Sequence, residues 1–219
     1  MARPKSGYKA SDGKRVPGTT TVTGRFKESG ALIHWAWDLG MQQINYRDAR
    51  DAAAGAGTLA HEMIDADIHS RDFVPAPDTP PEMVELALGA LENYRRWAKG
   101  TGMVVLQTET PLVSEAHRYG GTFDALVEVD GAPALLDFKT GKGTSCYVDT
   151  LYQLGAYKQL ARECLDIDPV EAHVLKLSRE QAAFAHYSFG ADVLNGGLEM
   201  FLTMRKMYDM DKIMKKVVS

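Results

Sequence analysis

Gly120-Gly121-Thr122-Phe123-Asp124-Ala125-Leu126-Val127-Glu128-Val129-Asp130-Gly131-Ala132-Pro133-Ala134-Leu135-Leu136-Asp137-Phe138-Lys139-Thr140-Gly141 reads as two β-strands joined by a tight turn. Asp130-Gly131 is a dipeptide favoured in two-residue hairpin loops, because its backbone accepts positive φ. With that turn, residue 129 faces 132, and counting back sets Asp124 opposite Asp137. Opposed residues share a sheet face, with Cβ atoms about 4.5–5.5 Å apart. Lys139, two positions beyond Asp137, points to the same side. Two carboxylates and an ammonium therefore converge on one patch. Opposed like charges are destabilising unless a cation joins them. This is the pattern of a divalent-metal site with a lysine beside it.

The other face of the hairpin carries Phe123, Ala125, Val127 and Val129 against Phe138, Leu136, Ala134 and Ala132, an apolar set that pins the register. Pro133 lacks an N–H and is the weak point of the ladder. A two-residue shift would leave the acids as diagonal neighbours. The alternative reading is a pair of surface acids neutralised by Lys139 and Lys142.

Outward from the hairpin, the composition bounds the answer. The chain has 219 residues, 45% hydrophobic, enough for one globular domain with a sizeable core. Its net charge of −4 gives no overall attraction for a polyanion. The ends are basic, with Arg3, Lys5, Lys9, Lys14 and Arg15 at one and Arg205, Lys206, Lys212, Lys215 and Lys216 at the other. Such ends can guide nucleic acid locally or serve as solvated tails. Cys146 and Cys164 are the only cysteines, which excludes a disulfide framework and a four-cysteine cluster. No apolar run reaches the length of about 18 residues that spans a bilayer, and no secretory signal opens the chain. The expectation is a cytoplasmic protein with no membrane partner.

Residues 1–20, rich in Gly, Pro, Thr and Lys, read as a flexible basic arm, and 21–219 as one domain. Its helical part covers 29–100, with helices at 29–44, 47–68 and 82–99. The core covers 101–190, with strands at 103–113, the hairpin, a helix at 149–164 ended by Asp168-Pro169, and strands at 170–177 and 184–189. A last helix runs over 191–216. This order predicts an α/β (α+β mixed) fold, a central mixed sheet flanked by helices.

Three further features fit the hairpin. In Gly57-Thr58-Leu59-Ala60-His61, the glycine one turn before His61 leaves room for another segment, and His61 can offer a nitrogen to an ion held by the acids. Asp65, one turn on, is a candidate partner for the other ring nitrogen. Gln153 and Tyr157 share a helix face and can contact phosphate or stack on a base. Glu109, on the preceding strand, can add a carboxylate or stand in solvent.

Together these motifs resemble the PD-(D/E)XK nuclease superfamily, specifically its RecB-like exonuclease branch. The elements that match are Gly57/His61, Gly121/Asp124, Asp137/Lys139 and Gln153/Tyr157, in the family's order across about residues 55–160. A weaker likeness lies in Val16-Pro17-Gly18-Thr19-Thr20-Thr21-Val22. The chain is similar to small standalone single-strand exonucleases of the mitochondrial genome maintenance type. It departs from members that hold an iron–sulfur cluster, since the four cysteines are missing.

The resemblance implies a restriction-endonuclease-like core and a DNA exonuclease acting on single strands or ends, in recombination, repair or replication, with a phage setting and with recombination or replication proteins as partners. It implies Mg²⁺ or Mn²⁺ held by Asp124, Asp137, the Phe138 carbonyl and His61, catalysis by Asp124, Asp137 and Lys139, and strand positioning by Gln153 and Tyr157. Lys142 and Glu109 are supporting candidates. The alternatives are a structure-specific or double-strand-end nuclease of this fold, an inactive nucleic-acid-binding module, and a structural metal-binding protein.

Overall fold

The structure, a computed structural model, describes residues 4, 6–141 and 143–218. It opens with a small hairpin of β1 (Tyr8–Lys9) and β2 (Arg15–Val16), then α1 (Thr19–Arg25), α2 (Gly30–Met41), α3 (Tyr46–Ile68) and α4 (Pro81–Ala98). Next come β3 (Val104–Ser114), β4 (Tyr119–Val129), β5 (Ala132–Gly141), α5 (Val148–Leu165), β6 (Glu171–Ser178), β7 (Phe184–Gly190) and α6 (Ala191–Val217). Local chemistry sets several of these bounds. The Asn45 side chain accepts from the Arg47 amide and caps α3. Pro81 stands at the first position of α4, where its missing N–H leaves no bond unmade. α5 stops at Leu165 because Asp166 turns left-handed (φ 56°), two residues before the expected Asp168-Pro169 signal.

The main sheet has the order β3-β4-β5-β6-β7. β5 and β6 run parallel, joined through α5, and the other neighbours are antiparallel. The expected hairpin register holds: Val129 faces Ala132, Ala125 faces Leu136, and the ladder passes through Glu128 opposite Pro133 unbroken. Both turn residues have positive φ, 49° at Asp130 and 82° at Gly131, as a two-residue loop of this kind requires.

Helices cover both faces. On one, Ala125, Val127, Ala134, Leu136 and Phe138 pack with side chains of α3 and α4, including Leu59, Ile64, Tyr94 and Trp97. On the other, Leu126, Leu135 and Val174 pack with Leu154 and Leu160 of α5 and Leu194 and Phe201 of α6. Phe123, expected with Ala125, joins the α5–α6 side instead. Alternation therefore breaks next to Asp124, so the expected apolar strip ends one pair early. α5 and α6 meet backbone to backbone: a Cβ on Gly155 would lie 2.1 Å from the Leu198 amide nitrogen, and one on Gly197 would lie 2.3 Å from the Leu151 carbonyl oxygen.

The described part of the expected flexible arm is built into the fold. Tyr8, Ala10 and Val16 are buried together, with Val113 packed against them. The Tyr8 hydroxyl pairs with Thr122 Oγ1 at 2.9 Å, and its ring lies where a Cβ on Gly120 would sit, 2.3 Å away. Gly120 and the bridge between Gly18 and Gly120 explain the likeness at 16–22, a segment that docks on the hairpin. At the other end, Arg205 is buried and donates to the Arg118 carbonyl, so this basic residue is structural. Among the described residues no helix is long and apolar enough to cross a membrane.

Candidate active site

The site lies where β4 and β5 part. The paired ladder ends at Ala125 and Leu136. At the next step Asp124 Oδ2 accepts from the Phe138 amide at 2.7 Å, so a carboxylate stands where a strand carbonyl would have been. Asp124 and Asp137 are both buried, 3% and 1% exposed. The expected surface patch is therefore an interior site, closed in because helices cover both sheet faces.

α3 brings His61, itself buried, to Asp124: Nδ1 lies 3.5 Å from Oδ1. The imidazole stands edge-on to Phe138, with ring centroids 6.0 Å apart. Gly57 passes close to β5, since a Cβ there would come 3.4 Å from Thr140 Oγ1. Asp65 does not serve His61; it pairs with Arg71 and His69, one turn too far along α3. Glu109 of β3 completes a group with His61 and Asp124 whose ligand atoms lie within 4.8 Å of one another. Its backbone is left-handed, φ 46°, opposite the break in β4. A non-glycine residue held so costs of the order of 1 kcal/mol or more and needs surroundings that enforce it. Glu109, expected either as a ligand or in solvent, is thus brought to the site.

Asp137 faces Lys139 instead, with Nζ 2.5 Å from Oδ2. The ammonium approaches off the direction of a good hydrogen bond, so the contact is ionic, and neither Asp137 oxygen has a hydrogen-bond partner among the described residues. His61 Nδ1 is likewise without one. Lys139 Nζ also reaches Gln153 Oε1 at 3.3 Å, and Gln153 Nε2 donates to the Tyr157 hydroxyl at 2.8 Å. Gln153 and Tyr157 are buried, and their polar atoms are turned to Lys139 and each other rather than displayed for a base. Lys142 lies outside the described residues.

The electrostatics follow. Burial disfavours ionisation of Asp124, but His61, Lys139 and the Phe138 amide hold its pKa below the usual 3.8. Burial works against the charge on His61 too, yet Asp124 lifts its pKa above 6.5. Asp137 goes the other way: burial pushes it up to about 6, with Asp124 adding repulsion against the pull of Lys139. Burial opposes the charge on Lys139, and Asp137 and Asp124 more than restore it, so it stays an ammonium. Buried acceptors without donors, one imidazole nitrogen and several carboxylate oxygens fit a divalent cation.

The five-stranded mixed sheet with helices on both faces is consistent with a restriction-endonuclease-like fold. A candidate exonuclease from Eubacterium rectale is similar in structure, with TM-score 0.51 and 11% identity over 73% of this chain. The match spans 66% of that protein's length. Two structures of an alkaline exonuclease from Laribacter hongkongensis, one with dAMP, align with TM-scores of 0.38 and 0.41 at 13% identity, over 74% of this chain and 84% of theirs. No family model and no curated protein matches the sequence.

Sequence reasoning missed Lys176, the neighbour of Lys139 across the parallel pair. Its only signal was a lysine inside an otherwise apolar strand, Ala172-His173-Val174-Leu175-Lys176-Leu177.

Proposed function

We propose that this chain is a metal-dependent deoxyribonuclease of the RecB-like branch, an exonuclease working on single strands or DNA ends with Mg²⁺ or Mn²⁺. One observation carries the reading: His61, Glu109, Asp124, Asp137 and Lys139 meet at a fork in the sheet, where His61 Nδ1 and both Asp137 oxygens have no hydrogen-bond partner among the described residues. His61, Asp124, Glu109 and Asp137 would hold the ion, with the Phe138 carbonyl as the backbone donor. When bound, the ion would supply Lewis-acid polarisation of the scissile phosphate and a bound water of lowered pKa. The imidazole nitrogen favours Mn²⁺ relative to an all-oxygen site.

The residues of the chain do the rest. Lys139, charged because two carboxylates face it, stabilises the negative charge that grows on the phosphate and orients the attacking water. Gln153 fixes the lysine by accepting from Nζ, and Tyr157 fixes Gln153. They act by positioning Lys139. Asp124 is held rigid by the Phe138 amide. Exclusion of water from this buried fork strengthens each of these interactions. Recombination or replication in a phage-infected cell, with proteins of those processes as partners, is the setting we propose from the family resemblance.

The test is digestion of 5′-labelled, 3′-labelled, duplex and circular DNA with Mg²⁺ and with Mn²⁺, alongside Lys139→Ala. Removal of one charge-stabilising donor costs about 10²–10³ in rate, so that variant should lose cleavage while keeping DNA binding. Cleavage of linear substrates only marks exonuclease action, and cleavage of circles marks an endonuclease. Normal turnover by Lys139→Ala, or no metal-dependent cleavage of any substrate, overturns the reading.

A further inference from the structure

Beside the cleavage centre stands a cation that the mechanism does not use. Lys176 of β6 lies directly across the parallel ladder from Lys139, so the two side chains leave the same face. It is only 9% exposed. Among the described residues it forms no ion pair and no hydrogen bond, and its close neighbour is the Tyr147 ring, 5.8 Å away at the centroid. Burial, then the Lys139 charge, holds its pKa below the usual 10.5. A buried ammonium next to another ammonium is an expensive arrangement unless an anion joins it. Asp137, the nearby acid, is already taken by Lys139.

The Tyr147 ring is shared by two ammonium groups, Lys176 at 5.8 Å and Lys27 at 5.9 Å from its centroid. Tyr147, in the segment between β5 and α5, is 63% exposed. Behind it opens a cleft of about 740 Å³ whose walls include Phe26, Leu32, Trp35 and Tyr152. Its lining is mostly apolar; of the charged side chains there, Lys27 and Asp149 pair at 2.6 Å and Glu28 adds a carboxylate. The cleft therefore suits flat apolar groups, and the cations for phosphates sit outside it, on β5 and β6.

We propose that Lys176 and Tyr147 form a substrate subsite, in which Lys176 takes the backbone phosphate adjoining the one that is cut and Tyr147 takes an unpaired base. The subsite rests on the nuclease reading above and narrows its substrate to a strand with unstacked bases, because paired bases in a duplex present no free face to a ring. The aromatic cleft continues the path for the next bases.

Binding is measured without cleavage, in chelator, by anisotropy of a short labelled oligothymidylate, a matched duplex and an abasic strand of equal length. Lys176→Gln should weaken the single strand about tenfold and flatten the salt dependence by about 0.7 in log–log slope, the share of one phosphate contact. Lys176→Arg should retain binding. Tyr147→Ala should lose about tenfold on oligothymidylate and nothing on the abasic strand, and Tyr147→Phe should restore the loss, as stacking on a ring predicts. Lys176→Met should raise the melting temperature of the ligand-free protein, which also shows that this variant folds. Parent-like single-strand binding by Lys176→Gln and Tyr147→Ala, in a protein that still cleaves DNA, overturns the subsite and leaves the nuclease reading standing. A parent that neither binds nor cleaves any of these substrates overturns both.

Discussion

Replacing Asp137 with asparagine should stabilise the metal-free protein while abolishing its activity. Asp137 is 1% exposed, its oxygens lack hydrogen-bond donors among the described residues, and its pKa stands at about 6 against an ordinary 3.8. At 1.36 kcal/mol per pKa unit, holding that carboxylate ionised costs about 3 kcal/mol at neutral pH. Asparagine removes the cost but leaves Lys139 with less counter-charge, which returns part of it. The net gain is about 1–2 kcal/mol, or about 3–6 °C in melting temperature for a chain of this length. The pH dependence has a definite sign. A carboxyl group whose folded pKa is raised favours the fold fully below its unfolded pKa of 3.8, and that contribution is lost as pH rises through about 6. The gap between variant and parent should thus be widest above pH 6 and close as pH falls toward 4. Thermal melts in chelator across that range read it directly. A variant less stable than the parent at pH 8, or a gap that ignores pH, would refute the claim that this acid is held against its own preference.

His61→Ala should weaken Mn²⁺ binding about 10–100-fold in calorimetry, the range typical of disturbed metal centres, and weaken Mg²⁺ binding less; equal affinities in variant and parent would remove His61 from the ligand set. Gly155→Ala should destabilise the protein by about 2–4 kcal/mol, because the new Cβ meets the Leu198 and Gly197 backbone at 2.1 and 2.5 Å and neither helix can turn a side chain away. A melting temperature equal to the parent's would mean that α5 and α6 are not locked there.

The hairpin was legible because a two-residue turn is local: Asp130-Gly131 and the apolar face set a register that holds as far as Ala125 and Leu136, one step short of Asp124 and Asp137. Helices α3 to α6 were legible within a few residues, since their apolar periodicity is local too. The N-terminal segment was not, because what orders it is distant: Tyr8 has meaning only beside Gly120 and Thr122, more than a hundred positions on. Phe123 failed for a related reason. Strict alternation assumes a regular partner strand, and Glu109, left-handed at the facing position, breaks that regularity.

The same distinction explains which parts of the site could be read. Residue types and spacing announced that His61, Asp124, Asp137 and Lys139 belong together, but not how they divide. In the fold they separate into two charge pairs, His61 with Asp124 and Lys139 with Asp137, meeting at the Phe138 backbone. Burial raises both carboxyls; at Asp124 it is overcome by His61, Lys139 and the Phe138 amide, so that pKa falls below 3.8, while at Asp137 the pull of Lys139 does not offset it and the pKa climbs to about 6. The ammonium of Lys139 supplies part of the positive charge that two buried acids require, and Asp124 pulls the His61 pKa upward in the same sense. A divalent ion brings that charge from outside and would compete with a proton for the His61 ring nitrogen while leaving Lys139 charged for the phosphate. One buried fork can thus be stable without metal and still bind it, provided the acid nearest the lysine tolerates strain. Among the described residues Lys176 has no such compensation, which is why its partner is sought in the substrate.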